Sequence, residues 1–180
     1  FITPSISEDI FSAAETACFP LSCMEPKLNF MGNEIGQLRE WDEKREQDWD
    51  LLKFPIHNSF HCFMTELNQF YLKSPAFYEM DYKKEGFIWT DCTNQYPAVY
   101  SFLRKSKTQT ILVVLNFSDT DCEYEIALPT DSNVTLVMDS DWEKYGGRTE
   151  EKKNIIRTRK KRLKLFVKNM SGKYYLISNP

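Results

Sequence analysis

Thr110-Ile111-Leu112-Val113-Val114-Leu115-Asn116-Phe117 is the stretch on which the fold turns. Its apolar, β-branched composition reads as a strand. The same texture recurs on either side, in Phe87-Ile88-Trp89, Ala98 to Leu103, Tyr124 to Leu128, Val134 to Met138, Leu163 to Val167 and Tyr174 to Ile177. Turn-rich segments such as Lys83-Lys84-Glu85-Gly86 and Asp131-Ser132-Asn133 separate these runs. About seven short strands so spaced predict an antiparallel β-sandwich. Upstream of Pro75 the texture is different, which puts a boundary near residues 75 to 80.

Before that boundary, Phe60, Phe63, Met64, Leu67, Phe70 and Tyr71 recur at three and four residues and predict a helix from about Asn58 to Lys73, closed by Pro75. Residues 5 to 18 predict another: Ser5 and Glu8 form a capping box, and Ile6, Ile10, Ala13, Ala14 and Ala17 share a face. Between the two helices, Leu28 to Met31 reads as a short buried strand halted by Gly32. Asn33 to Phe54 reads as a long ordered loop, polar but for isolated tryptophans.

The composition removes several function classes. No apolar run approaches the roughly 18 residues of a membrane span. Five cysteines, an odd number without a C-x-x-C pair, fit reduced thiols in a cytoplasmic protein rather than a zinc ribbon or a disulfide framework. The N-terminus carries no basic region followed by an apolar stretch, so the N-x-S/T triplets at Asn116, Asn133 and Asn169 read as accidental. His57 and His61 lie four apart, yet no Glu stands between them as in H-E-x-x-H and no third ligand suggests itself. Neither a metal nor a cofactor is expected. Cys62 reads as a buried structural thiol.

Charge is unevenly spread. Lys144 to Lys168 holds eleven basic residues against two acidic ones, whereas the whole chain carries a net charge of -3. Arg157 to Lys164 could contact phosphates, but aromatics for base stacking are absent from the run. A solvated hairpin whose charges guard a sheet edge is the plainer reading, and nucleic acid is not the expected partner.

The loop carries the most chemistry. Asn33, Glu34, Gln37, Arg39, Glu40, Trp41, Asp42, Asp48 and Trp49 fall within about twenty residues. Amides and carboxylates pair with hydroxyls, and an indole packs on the apolar face of a pyranose, so this set suits a sugar-binding surface. The same residues also suit a loop anchored by two buried tryptophans with its charges in water. The chemistry alone leaves both open.

Leu28-Asn29-Phe30-Met31-Gly32-Asn33-Glu34-Ile35-Gly36-Gln37, Arg39-Glu40-Trp41 and Asp48-Trp49-Asp50-Leu51-Leu52 closely resemble the 1,4-α-glucan (glycogen) branching enzymes of the α-amylase superfamily. The resemblance continues in order through Leu67-Asn68, Tyr71, Ser74-Pro75-Ala76, Gly86 to Trp89, Ser101 to Arg104, Asn116-Phe117 and Asp139-Ser140-Asp141 to Tyr145-Gly146-Gly147. It implies that residues 1–76 are the end of a (β/α)₈ catalytic barrel, with Phe30-Met31 in its last strand, one helix on each side and the loop at the active-site face. Residues 77–180 would be the all-β C-terminal domain. The overall expectation is a mostly β chain: an antiparallel sandwich preceded by the last strand and two helices of an incomplete barrel.

Family chemistry resembles that of retaining glycosidases, with one carboxylate as nucleophile and a second carboxyl group as acid and then base, the glycosyl group passing to a 6-hydroxyl. The positions of those acids would precede Phe1, so this chain is expected to hold no catalytic residue and to be inactive alone. Its expected partners are an α-glucan and the missing N-terminal part of the barrel, with Asn33, Glu34, Glu40, Trp41, Asp48 and Trp49 as glucan contacts or loop scaffold. Ile35 stands where the family usually has an aromatic, and Arg148 to Arg162 aligns with nothing. A competing reading is a non-catalytic α-glucan-binding module using Tyr82, Trp89, Tyr96 and Trp142 on a sandwich face.

Overall fold

The computed structural model describes residues 29–92 and 97–180. The helix expected over residues 5 to 18, together with Cys18, Cys23 and Tyr96, lies outside them. The long loop, turned at Asn33–Ile35 and Trp49–Lys53, leads into helix α1 (Pro55–Lys73). Strands β1 (Phe87–Asp91), β2 (Val99–Lys105), β3 (Thr110–Asn116), β4 (Cys122–Ala127), β5 (Asn133–Asp139), β6 (Ile155–Arg157), β7 (Arg162–Val167) and β8 (Ser171–Ser178) follow.

Among the described residues the named strands all pair antiparallel, in a six-stranded sheet ordered β1-β2-β3-β8-β5-β6 and a two-stranded sheet of β4 and β7. Register sorts the faces, because directly paired residues point the same way. Phe102, Val113 and Tyr174 are in register across β2, β3 and β8, and the Tyr174 ring meets Phe70 of α1 at 5.6 Å. Ser101, Val114 and Lys173 are in register on the opposite face, where Ser101 Oγ lies 3.0 Å from the Tyr124 hydroxyl of β4. The large sheet is therefore a middle layer, with α1 on one side and β4–β7 on the other.

This layering explains the sequence texture. Strand β3 is covered on both faces, so Ile111 to Leu115 are all fully buried and the strand reads as a continuous apolar run. Strands β4 and β7 have one wet face and alternate instead. The apolar core is continuous from Phe60, Phe63, Met64 and Leu67 of α1 into the sheets. Helix α1 begins at Pro55, three residues earlier than its periodicity predicts, since proline is well placed in a first turn. It ends at Lys73, capped by Ser74, because Pro75 cannot extend it.

Arg104 of β2, with no exposed surface, ties the join together. Its guanidinium donates to the carbonyls of Ala76 (3.3 Å) and Phe77 (2.8 Å) and pairs with Asp81. Tyr145 adds a second tie. It meets Phe63 at 5.2 Å, and its hydroxyl donates to Glu66 at 2.7 Å, beside Lys144 at 2.8 Å from the same carboxylate.

Three expectations need correction. Asn29 to Met31 is not a strand, and Phe30 and Met31 stand half exposed. A strand needs a hydrogen-bonded neighbour, and among the described residues none runs beside this stretch, which turns instead at Gly32 (φ +90°). Cys62 is exposed, on the side of α1 that faces away from the sheet. Strand β6 was absent from the expected set; three residues at a sheet edge, with Ile155 exposed, leave too little pattern to read. No helix among the described residues is long and apolar enough to cross a membrane.

Candidate functional site

The loop from Gly32 to Phe54 is held by its own side chains. Gly32 and Gly36 take left-handed backbone, and both Ile35 and Gln37 return their N–H groups to the Gly32 carbonyl, at 3.2 and 3.0 Å. A side chain at Gly32 would also press on Gln37, its Cβ 2.9 Å from that residue's Cβ. Gln37 spans the loop: its amide oxygen accepts from the Asp48 N–H, and its amide nitrogen donates to the Arg39 carbonyl, each at 3.0 Å. Arg39 grips Asp48 with two bonds, Nε to Oδ2 at 3.2 Å and Nη2 to Oδ1 at 3.0 Å, and donates to the Glu46 carbonyl at 3.0 Å. The Arg39 hydrogen bond holds the Asp48 carboxyl below its ordinary range.

Helix α1 supports the loop from beneath. His57 Nδ1–H donates to the Ile35 carbonyl at 2.8 Å, and His61 Nδ1–H to the Glu34 carbonyl at 3.1 Å. A carbonyl only accepts, so each ring carries its proton on Nδ1. The spacing of four that resembles half a metal site instead clamps two consecutive carbonyls. Sequence reasoning missed this role; the detectable signal was two histidines on one helix face next to a glycine-bounded turn. Ile35 is fully buried beneath the loop.

The predicted contact residues divide into two sets. Asp48 is committed to Arg39, and Glu34 offers its carbonyl to His61. Asn33, Glu40, Trp41 and Trp49 are exposed. Trp41 (45% exposed) leans edge-on against Phe30 at 5.7 Å, and Trp49 (46% exposed) lines a shallow depression of about 660 Å³ with Arg45 to Asp48, Leu51 and Phe54. Trp41 does not line that depression. An anchorage by two buried tryptophans is therefore not what holds the loop; the Gln37–Arg39–Asp48 bonds and the two histidines do.

The other candidates fare differently. Trp142 is 2% exposed and stacks on Tyr145 at 6.1 Å, so it cannot serve as a surface platform. Burial of an indole in the helix–sheet seam outweighs its polar N–H. Tyr82 and Trp89 are exposed, and Trp89 packs edge-on to Phe87 and Phe102. Arg157 to Lys164 runs from the end of β6 in the large sheet through the turn at residues 158–161 into the start of β7 in the small one. Arg162 and Lys164 are paired with Glu125 across the β4–β7 ladder. Asn116 is fully buried, its amide donating to the carbonyls of Thr120 (3.0 Å) and Lys168 (2.9 Å), so no glycan could attach there.

Residues 89–176 match the family described as alpha amylase, C-terminal all-beta domain. This segment belongs to that family. The α-amylase C-terminal all-β domain thus accounts for β2 to β7 entirely and for most of β1 and β8. The chain is also a relative of bacterial 1,4-α-glucan branching enzymes, as the ordered motifs predict. It is 41% identical over 122 residues to the 1,4-alpha-glucan branching enzyme GlgB of Protochlamydia amoebophila, covering 67% of this chain and 17% of that protein. It is 36% identical over 135 residues to the GlgB of Bacillus anthracis, covering 73% and 21%. The matched part thus spans about a fifth of these curated relatives.

Solved structures share the fold. An α-amylase from Geobacillus thermoleovorans complexed with acarbose superposes with a TM-score of 0.70 at 11% identity, over 95% of this chain and 34% of that one. The isomaltulose synthase SmuA from Protaminobacter rubrum gives 0.60 at 14%, over 94% and 38%.

Proposed function

We propose that this chain is the C-terminal part of a 1,4-α-glucan branching enzyme of glycogen biosynthesis, a glycosyltransferase that moves α-1,4-glucan segments onto 6-hydroxyls. The 41% identity over 122 residues to a protein of that name carries the reading. In it, residues 1–76 complete the catalytic barrel, residues 77–180 brace it, and a cytoplasmic location follows from the activity. The continuous core between α1 and the sheets, with the Arg104 and Tyr145 ties, supports the bracing role. Half-exposed Phe30, Met31, Leu38, Trp41 and Phe54 on one loop offer apolar surface to the missing barrel or to a pyranose.

The reactive acids lie outside this chain in the proposal. A glycosyl transfer with retention needs one ionised carboxylate to attack and a second carboxyl group to donate and then recover a proton. Asp48 is unsuited to the first role, since Arg39 occupies both its oxygens. Asn33, Glu34, Glu40, Trp41 and Trp49 are assigned glucan contact, and Asp48 the scaffold beneath them.

The test is the iodine-stained amylose assay. The purified 180-residue chain should leave the absorbance unchanged, and the same chain joined to the upstream part of the barrel should lower it. Turnover by the chain alone would overturn the assignment of the acids, and failure of the joined protein would overturn the branching assignment.

A further inference from the structure

The outer face of the β4–β7 sheet has not been assigned a role. On it the register sets Glu123 beside Phe166, Glu125 beside Lys164 and Ala127 beside Arg162. All six of these residues are exposed, while Tyr124, Ile126, Leu163 and Leu165 turn inward. Phe166 is 53% exposed on a sheet whose other large apolar side chains are buried. It borders a groove of about 410 Å³ together with Glu123, Glu125 and Lys164, a size within the roughly 300–1,000 Å³ of ligand clefts.

The charges on this face cancel locally. Glu125 pairs with Arg162 and with Lys164 (3.6 Å), and Lys168 pairs with Asp121 at 2.8 Å while lying 5.2 Å from the centre of the Phe166 ring. The Arg162 hydrogen bond keeps the Glu125 carboxyl below its ordinary range, so the pairing persists at neutral pH. Within the ladder itself Glu123 and Glu125 balance Arg162 and Lys164, and Asp121 balances Lys168, so the paired strands favour neither an acidic nor a basic ligand. What remains is an aromatic ring surrounded by hydrogen-bonding groups, which suits a neutral, polyhydroxylated ligand.

From this geometry we infer that the β4–β7 face is a second glucan-holding site, with Phe166 as the stacking platform and Glu123, Glu125 and Lys164 as hydroxyl partners. That the sugar is an α-glucan rests on the proposed function; the platform itself rests only on the face. It differs from the sandwich-face set expected from sequence, in which Trp142 is buried and Tyr82 and Trp89, though exposed, lie outside the β4–β7 sheet.

Affinity electrophoresis of the full 180-residue chain in gels containing glycogen, or barley β-glucan as the alternative sugar, tests the inference. Glycogen should retard the chain, and Phe166→Ala should weaken that retardation about tenfold in apparent dissociation constant, the equivalent of about 1.4 kcal/mol. Phe166→Trp, which keeps a platform, should remain within about twofold of the parent. Thermal melts check that each variant is folded, and Glu123→Ala supplies a second weakened variant that leaves the ring in place. Retardation that survives both Phe166→Ala and Glu123→Ala would overturn the site while leaving the branching assignment intact. Phe166-dependent retardation by β-glucan alone would support the platform and overturn the α-glucan assignment. No retardation in either gel would overturn the site.

Discussion

Gly147 has no room for a methyl group: a Cβ there would sit 2.1 Å from the Asp141 carbonyl oxygen. The approach is close because the Asp141 carbonyl accepts the Arg148 and Thr149 N–H groups, both at 2.9 Å, while its carboxylate accepts Arg148 Nε at 2.8 Å. Backbone cannot yield as a flexible side chain can, so Gly147→Ala should cost about 2 kcal/mol in a urea melt. Stability within a few tenths of the parent would mean the turn re-forms around the methyl. The buried pair Lys173–Asp139, at 3.0 Å, makes a pH-dependent case. Burial pushes the Asp139 carboxyl up, against the pull of Lys173 and the Asp141 N–H. A raised carboxyl pKa means that stability falls as pH rises above the unfolded value of about 3.9. Lys173→Met removes the main compensating charge, so it should cost about 3 kcal/mol at neutral pH, and the cost should shrink towards about pH 4. An equal loss at both pH values would exclude Asp139 as the stranded group. Neither residue stands out in the sequence as a partner of the other. Thirty-four positions separate them, and only the β5–β8 register brings them side by side.

At the scale of elements, the turn joining β6 to β7 is built against local preference. Lys160 and Lys161 both have positive φ, 55° and 59°, and Arg162 N–H donates to the Arg159 carbonyl at 3.2 Å. Two such residues in sequence are what an Asn-Gly pair supplies at little cost, whereas each lysine costs about 1–2 kcal/mol. Lys160→Asn with Lys161→Gly should therefore raise the stability by about 1–2 kcal/mol, read from the denaturation midpoint. No gain would mean that the lysines make compensating contacts with their neighbours. The positive φ values also explain why the segment reads only as a charge run: no glycine or asparagine marks the turn. Helix α1 was legible because its apolar stripe repeats at three and four residues, and β4 and β7 because they alternate. The three-residue β6 has no period to detect.

The whole molecule shows why fold and site were unequally readable. Strands and helix are short-range patterns, imposed by which face meets the core, and each leaves a period in the sequence. The arrangement of layers leaves none: that α1 and the β4–β7 sheet lie on opposite faces of the large sheet depends on register across strands distant in the chain. The candidate loop behaves in the same way. Its composition suits a sugar-binding surface and a self-anchored loop equally, and the resemblance to branching enzymes supplied the family. Which of its groups are spent on structure required coordinates, since Asp48 is occupied by a residue nine positions away and the loop's carbonyls by histidines more than twenty away. The same holds for aromatics. Trp142 is buried and Phe166 exposed, although hydrophobicity alone would rank the two together. By itself, then, the sequence determined the class of fold, the family and, among the described residues, the helix and seven of the eight strands, because these follow from local periodicity and ordered motifs. Tertiary structure alone decided which polar groups are neutralised and which rings face solvent, because both depend on contacts between residues far apart in the chain.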